Sequence, residues 1–193
     1  LVGSEMCIRD RILGDNFFYG QNLTSKLLNN VKLNRGAKIV LHKVQKPELY
    51  GVAKINKNKR ILTIKEKPKK FLSDLAITGL YFFDNKVVEF SKKLKPSKRG
   101  EVEIVDLLNI YKSKKQLSAD LIGRGGAWLD TGSIEDYYKT SSFVSAIENR
   151  QGFKIACIEE IALNNKWIKK KEIKNSIRFY GLCEYSNYLK KLI

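Results

Sequence analysis

Apolar and polar residues fall along this chain in short blocks whose spacing switches between the period of a strand and that of a helix. Ile12-Leu13 stops on Gly14-Asp15-Asn16, which is how a buried parallel strand ends at its carboxyl edge. Positions 24–31 predict a short helix with Leu23, Leu27 and Leu28 on one side, and 37–44 predict a second strand. Pro47-Glu48-Leu49-Tyr50-Gly51 makes a turn, after which 52–55 and 61–64 alternate around the polar tip 56–59 as a hairpin. The stretch 75–83 is dense in β-formers and broken once, at Gly79, and 86–94 reads as a helix that closes before Pro96.

Ile104, Leu107, Leu108 and Tyr111 recur at i, i+3, i+4 and i+7, predicting an amphipathic helix over 101–114 with acids in its first turn. Another strand follows at 117–122, then a flexible loop, 123–126, feeding Ala127-Trp128-Leu129-Asp130-Thr131-Gly132. Ser133-Ile134-Glu135-Asp136 is a capping box, opening a helix to about 149 with Arg150 and Gly152 as stop signals. Short helical stretches make up the rest. The alternation predicts an α/β fold with a mixed, mostly parallel central sheet and a helical C-terminal extension. The expected organisation is an extraneous segment at 1–11, which lacks period and turn logic, a main domain at 12–150 and the extension at 151–193.

Composition narrows the function classes. The 193 residues are 43% hydrophobic, too apolar for a disordered polyelectrolyte, and no apolar run nears the roughly 20 residues of a membrane-spanning helix. Three separated cysteines, Cys7, Cys157 and Cys183, make neither a disulfide framework nor a zinc site and fit reduced thiols in a cytoplasm. With a single histidine, His42, chemistry must rest on carboxylates, lysines and backbone groups. The net charge of +17 invites a nucleic-acid partner. The surplus is lysine spread over the whole chain, however, without a zinc-finger spacing or an RNA-recognition signature. It reads as a solvated surface that also attracts anionic substrates, and no nucleic acid or membrane is expected as a partner.

In α/β sheets ligands bind beyond the carboxyl ends of the strands, and two predicted ends carry an aspartate, Asp15 and Asp130. Two carboxylates there suit Mg²⁺, which keeps several waters and takes one or two carboxylates plus substrate phosphates; equally, Asp15 could cap its turn and Asp130 orient the bend after it. Glu66-Lys67 closes the hairpin, offering an acceptor for sugar hydroxyls beside an ammonium for phosphate, or an exposed charge pair. Tyr50-Gly51 could stack a ring while the glycine admits close backbone approach.

Read in order, the segments Leu13-Gly14-Asp15-Asn16-Phe17-Phe18-Tyr19-Gly20, Pro47-Glu48-Leu49-Tyr50-Gly51-Val52, Glu66-Lys67-Pro68 and Ala76-Ile77-Thr78-Gly79-Leu80-Tyr81 follow a known series. It continues with Pro96-Ser97-Lys98-Arg99-Gly100-Glu101, with 123–132, with Glu148-Asn149-Arg150-Gln151-Gly152 and with Cys157-Ile158-Glu159-Glu160-Ile161-Ala162. From about Ile12 to the C-terminus the chain resembles the glucose-1-phosphate thymidylyltransferase family, bacterial sugar nucleotidyltransferases that open dTDP-rhamnose synthesis. The resemblance implies a Rossmann-like nucleotidyltransferase fold. It also implies Mg²⁺-dependent attack by α-D-glucose 1-phosphate on dTTP, giving dTDP-glucose and pyrophosphate. Position by position, it makes Asp15 and Asp130 the metal ligands, which with Lys67 form the catalytic set. Asn16, Tyr50, Gly51, Glu66 and the Ile77 backbone become the glucose contacts, Lys67 the phosphate-binding base with Tyr81 beside it, and Trp128 a support of the metal loop. It further implies a cytoplasmic homo-oligomer, a tetramer in the family. A second site would admit a dTDP-sugar as feedback effector, with Tyr19, Gly20, Arg124, Cys157, Glu160 and Ile161 as its candidate lining.

Departures accompany the resemblance. The family's Gly-Gly-x-Gly-Thr-Arg-Leu phosphate loop and Pro-x-x-Lys segment do not occur in this sequence, Lys65 replaces a usual acid and Gly126 a common aromatic. The first strands of the family sheet are accordingly expected to be missing, and this polypeptide alone is expected to be inactive. A uridylyl- or cytidylyltransferase of the same fold, and a non-catalytic regulatory homologue, are the alternatives.

Overall fold

The structure is a computed structural model that describes residues 9–97, 100 and 102–193. Its strands are β1 (Arg9–Ile12), β2 (Asn16–Tyr19), β3 (Ala37–Lys43), β4 (Gly51–Ile55), β5 (Ile61–Glu66), β6 (Leu75–Phe83), β7 (Leu117–Leu121) and β8 (Ala127–Asp130). Its helices are α1 (Leu23–Val31), α2 (Lys86–Ser91), α3 (Ile104–Ser113), α4 (Ile134–Gln151), α5 (Ile158–Asn164), α6 (Lys170–Tyr180) and α7 (Glu184–Lys190). The α/β class, the hairpin and the helical C-terminal region follow the sequence pattern. Two compact units result, Leu1–Gly132 and Ser133–Ile193.

In the first unit, β6 is the hub because its residues are apolar on both faces, and such a strand must be covered on both. β3 pairs along its whole length, from Ala37↔Phe83 to Lys43↔Leu75. The other edge is shared, with β4 at the amino end (Val52↔Ala76) and β1 at the carboxyl half (Arg9↔Phe83 to Ile12↔Leu80). The six-stranded order is β5-β4-β6-β3-β7 with β1 also on β6. The sheet is mixed: β1, β3, β4 and β7 run one way and β5 and β6 the other. Strand directions are thus mostly parallel, but β6 lies between strands of opposite sense, so among the described pairs only β3·β7 is a parallel neighbour. β2 and β8 form a separate antiparallel ribbon.

Alternation sorts the side chains into two layers. Ile39, Leu41, Ile77, Tyr81 and Phe83 pack under α2 and α3 through Phe90, Val105, Leu108 and Tyr111. Val40, Leu80 and Phe82 face the opposite way, against Phe18 and Leu27. Thr78 between them donates its hydroxyl to the Val40 carbonyl at 3.0 Å, so its buried oxygen is satisfied.

Three expectations are corrected. Residues 9–11 belong to the sheet, in β1, rather than to an extraneous segment, and residues 1–8 lie outside the described ones. β1 is antiparallel to β6, and Ile12 stays 60% exposed where a buried parallel strand was expected. The helix expected over 101–114 begins at Ile104, with Glu103 as its N-cap; Lys98, Arg99 and Glu101 lie outside the described residues.

The two compact units meet at Gly132 and Ser133, and α4 is tied to the C-terminal helices. Glu148 on α4 accepts the Ile155 N–H and the Lys154 ammonium, both at 2.8 Å. α4 opens as expected on Ser133, whose hydroxyl accepts the Asp136 N–H at 3.1 Å, and ends on Gly152 in the left-handed region. Cys157, Ile173, Tyr188 and Leu189 form the core of this unit. Among the described residues no helix is long and apolar enough to cross a membrane.

The first unit is knotted by Asp84, a carboxylate only 8% exposed. It accepts the Gly36 N–H at 2.7 Å, the Tyr111 hydroxyl at 2.7 Å and the Lys86 N–H at 3.1 Å, joining the start of β3, the end of β6 and α3. Burial, with this hydrogen bond, raises the Tyr111 phenol far above its usual range. Tyr111→Phe is expected to lower the unfolding free energy by about 1–3 kcal/mol, and Asp84→Ala, which orphans three donors, by more. Urea unfolding with an unchanged m-value measures both; a Tyr111→Phe midpoint equal to the parent's would contradict the knot.

Candidate active site

A cavity of about 260 Å³ opens in the first unit, lined by Asp15, Asn16, Tyr50, Gly51, Glu66, Lys67, Ile77, Tyr81, Trp128 and Asp130. Every residue assigned in sequence to sugar, phosphate or metal is therefore in one place. The β2·β8 ribbon sets one wall. Its register puts Asn16 opposite Asp130 and Phe18 opposite Trp128, and Thr131 clamps it by donating both its N–H and its hydroxyl to the Asp15 carbonyl, each at 2.8 Å.

The two aspartates flank Gly132. A Cβ built there would lie 3.0 Å from Asp130 Oδ1 and 3.8 Å from Asp15 Oδ2. Asp130 Oδ1 accepts the Gly132 N–H at 2.8 Å, and Asp15 Oδ1 accepts from Asn16 Nδ2 at 2.8 Å. Each carboxylate is thereby oriented through one oxygen. Among the described residues no group of three or more His, Cys, Asp or Glu side chains gathers for a metal. A cation here would have two carboxylates and otherwise water or ligand oxygens, a donor set that fits Mg²⁺ and not zinc.

Trp128 is 8% exposed and donates its indole N–H to Asn16 Oδ1. Tyr50 meets its ring edge-on, centroids 5.0 Å apart. On the sheet side the glycines serve close approach. A Cβ on Gly51 would stand 2.9 Å from Glu66 Oε2, and one on Gly79 would stand 2.8 Å from Asn16 Nδ2. Gly79, visible in sequence only as a break in a strand, thus makes room for Asn16. Lys67 follows β5 with a left-handed φ of 37° just before Pro68, a strained conformation for a non-glycine residue. It is held by its N–H donating to the Tyr50 carbonyl at 3.0 Å.

The wall is acidic. Among the described residues the lining carries four carboxylates, Asp15, Asp130, Glu66 and Glu103, and one lysine, Lys67, with Arg11 near enough to act on Tyr81. Tyr81 is buried beside them; burial first, then the negative Glu66, pushes its phenol up to about 12, with Arg11 pulling the other way. Glu103 was not assigned from sequence. It caps α3 and its Oε1 accepts the Ser97 hydroxyl at 3.0 Å; the acid-rich start of that helix was the available signal. Leu13, Leu49, Ile104 and Val105 complete the lining.

The candidate effector residues divide between the units. Tyr19 and Gly20 end β2, and Arg124 lies in the loop before β8. In the second unit Cys157 caps α5 and is buried at 3% exposure, its Sγ 3.2 Å from the Tyr185 hydroxyl. Glu160 accepts the Tyr188 hydroxyl at 2.6 Å, and Ile161 is exposed.

Known proteins resemble this chain in sequence and fold. The nucleotidyl transferase family profile covers residues 5–147, so the match starts ahead of Ile12 and takes in part of the segment expected to be unrelated. A glucose-1-phosphate thymidylyltransferase of Neisseria meningitidis is 43% identical over 196 aligned positions, covering 100% of this chain and 68% of its own. One from Neisseria gonorrhoeae is 46% identical over 182, covering 94% and 63%. A Bacillus anthracis crystal structure, described as a glucose-1-phosphate thymidylyltransferase with sucrose, superposes with a TM-score of 0.60 at 38% identity. It covers 70% of this chain and 54% of that one. A UDP-glucose pyrophosphorylase at 22% identity and TM-score 0.62 shares the fold. The chain thus spans about two thirds of the length of the curated relatives it matches, and on these likenesses it belongs to the nucleotidyl transferase family, among the glucose-1-phosphate thymidylyltransferases.

Proposed function

We propose that the cavity is the sugar-phosphate half of a site for Mg²⁺-dependent nucleotidyl transfer from dTTP to α-D-glucose 1-phosphate. In that reaction an oxygen of the sugar phosphate bonds to the α-phosphorus of dTTP, the bond to the β-phosphate oxygen breaks, and pyrophosphate leaves with dTDP-glucose formed. The observation that carries the proposal is the pair Asp15 and Asp130 flanking Gly132 in a cavity whose other wall holds Glu66 and Lys67. An anionic ligand entering among four carboxylates needs added positive charge. Asp15 and Asp130 would hold Mg²⁺, which when bound supplies charge neutralisation at the phosphate oxygens.

The chain's own groups do the rest. Lys67, fixed by its backbone bond to Tyr50, offers its ammonium to the sugar phosphate. Glu66 and Asn16 accept or donate to sugar hydroxyls, and Gly51 and the Ile77 backbone permit close approach. Tyr50 and Trp128 give the ring an aromatic wall, and Tyr81 offers a phenolic donor. The family's phosphate loop is not in this sequence, and losing one donor in such a site costs about 2.7–4 kcal/mol. The 193-residue chain alone therefore binds the sugar phosphate without making product. A cytoplasmic homo-oligomer, with feedback by a dTDP-sugar and a product that feeds dTDP-rhamnose synthesis, belongs to the same proposal.

Calorimetry with the chain and glucose 1-phosphate tests this. Mg²⁺ is expected to tighten binding in the parent and to make no difference in Asp15→Asn or Asp130→Asn. Lys67→Met is expected to cost about 1.5–3 kcal/mol. Parent binding indifferent to Mg²⁺ would overturn the assignment, whereas dTDP-glucose formed from dTTP by this chain alone would refute only its expected inactivity.

Tyr81 gives a second check. Its phenol stays protonated up to about 12, so it remains a donor throughout ordinary assay conditions. Tyr81→Phe is expected to weaken sugar-phosphate binding by the same factor at pH 7 and pH 9.5. A penalty that shrinks at the higher pH would mean that the phenol ionises near its usual value.

A further inference from the structure

His42 is the chain's single histidine, and it does not line the cavity. It sits on β3 opposite Ala76, and its ring meets Trp128 edge-on with centroids 6.4 Å apart and planes at 77°, within the range of a T-shaped aromatic pair. Its Nδ1 is buried with no hydrogen-bond partner among the described residues. The imidazole thus meets Trp128 through its ring edge and has one backbone partner, Ile122.

Trp128 in turn controls Asn16. A carboxamide has two ends that a rotation of its plane exchanges. Here the oxygen accepts the Trp128 indole N–H while the nitrogen donates to Asp15 Oδ1 at 2.8 Å. In the reversed amide, NH₂ would face an indole N–H and a carbonyl would face a carboxylate, two repulsive contacts. Both contacts favour the same orientation, and the indole supplies one of the two. Tyr50 touches the same indole from within the cavity lining; His42 touches it from outside that lining.

We propose that His42 is a positioning residue: it buttresses the Trp128 indole, which locks the Asn16 carboxamide in the orientation that pairs with Asp15 and presents its remaining N–H and lone pair to a sugar hydroxyl. Burial lowers the imidazole below its ordinary value, against the Ile122 backbone bond that raises it, so the ring is neutral at pH 7 and adds no charge next to the indole. The sugar contact rests on the proposed function; the lock on Asn16 does not.

The test uses the 193-residue chain carrying Trp167→Phe, which removes an indole that is 74% exposed in the second unit and leaves Trp128 as the sole tryptophan. Three readouts are taken: the near-UV circular dichroism of Trp128, the side-chain NH₂ resonances of Asn16, and glucose 1-phosphate affinity by calorimetry. His42→Ala is expected to cut the Trp128 signal by about half, move the two Asn16 NH₂ resonances toward their positions in an unstructured chain, and weaken binding roughly 3- to 10-fold, a modest case of misplacement from outside the site. His42→Phe restores all three, and His42→Gln, with hydrogen-bonding capacity but no ring edge, does not. If His42→Ala unfolds, the Phe and Gln variants carry the comparison.

Unchanged Trp128 and Asn16 signals in His42→Ala, or rescue by Gln equal to that by Phe, would overturn the proposal. A parent chain that fails to bind glucose 1-phosphate would instead refute the function proposed above. The spectroscopic pair would then still decide the positioning role.

Discussion

Four residues of backbone pairing, Asn16–Tyr19 against Ala127–Asp130, decide where the two aspartates stand. A ribbon of two short strands is marginal by itself, and a slip of one residue would turn Asp130 and Trp128 to the opposite face. Contacts at one end of the ribbon hold the register, Thr131 on the Asp15 carbonyl and Trp128 on Asn16, while Gly132 orients the Asp130 carboxylate. Each of these lies within a few residues of an acid that the cavity presents. Stability of the ribbon and geometry of the site are therefore one property.

The sheet supplies the opposite wall by a different route. β6 is anchored through Asp84 and Tyr111 to α3, and this fixes the Glu103 end of that helix beside Ile77 and Tyr81. Within the cavity lining Lys67 is strained, its backbone left-handed before a proline and held by the Tyr50 carbonyl. Among the described lining residues the acids outnumber Lys67; on the proposed function a phosphate would enter together with a divalent cation that offsets them.

Much of this was legible in the residue pattern. Period-two alternation located the β4·β5 hairpin, the density of β-formers from Leu75 to Phe83 announced a strand, and Ser133 with Asp136 marked the start of α4. The acids, the Glu66-Lys67 pair and Tyr50-Gly51 were recognisable because their order along the chain is specific. What escaped the pattern depended on contacts between distant segments. β1 looked formless because its place is given by pairing with β6. Glu103 was hidden in a helix start, and α4 joined the second unit through Glu148, a polar residue without periodic signature. His42, dismissed for chemistry because it is alone, matters through an aromatic neighbour 86 positions away.

The central claim is that Asp15 and Asp130 share a single divalent ion under a sugar phosphate. Mn²⁺ in place of Mg²⁺ makes this directly visible: crystals of the chain grown with glucose 1-phosphate and Mn²⁺, measured for anomalous scattering, locate the ion. The account predicts one strong peak in ligating contact with a carboxylate oxygen of both aspartates and with a phosphate oxygen. A peak on one aspartate alone, or none in the cavity, would contradict it.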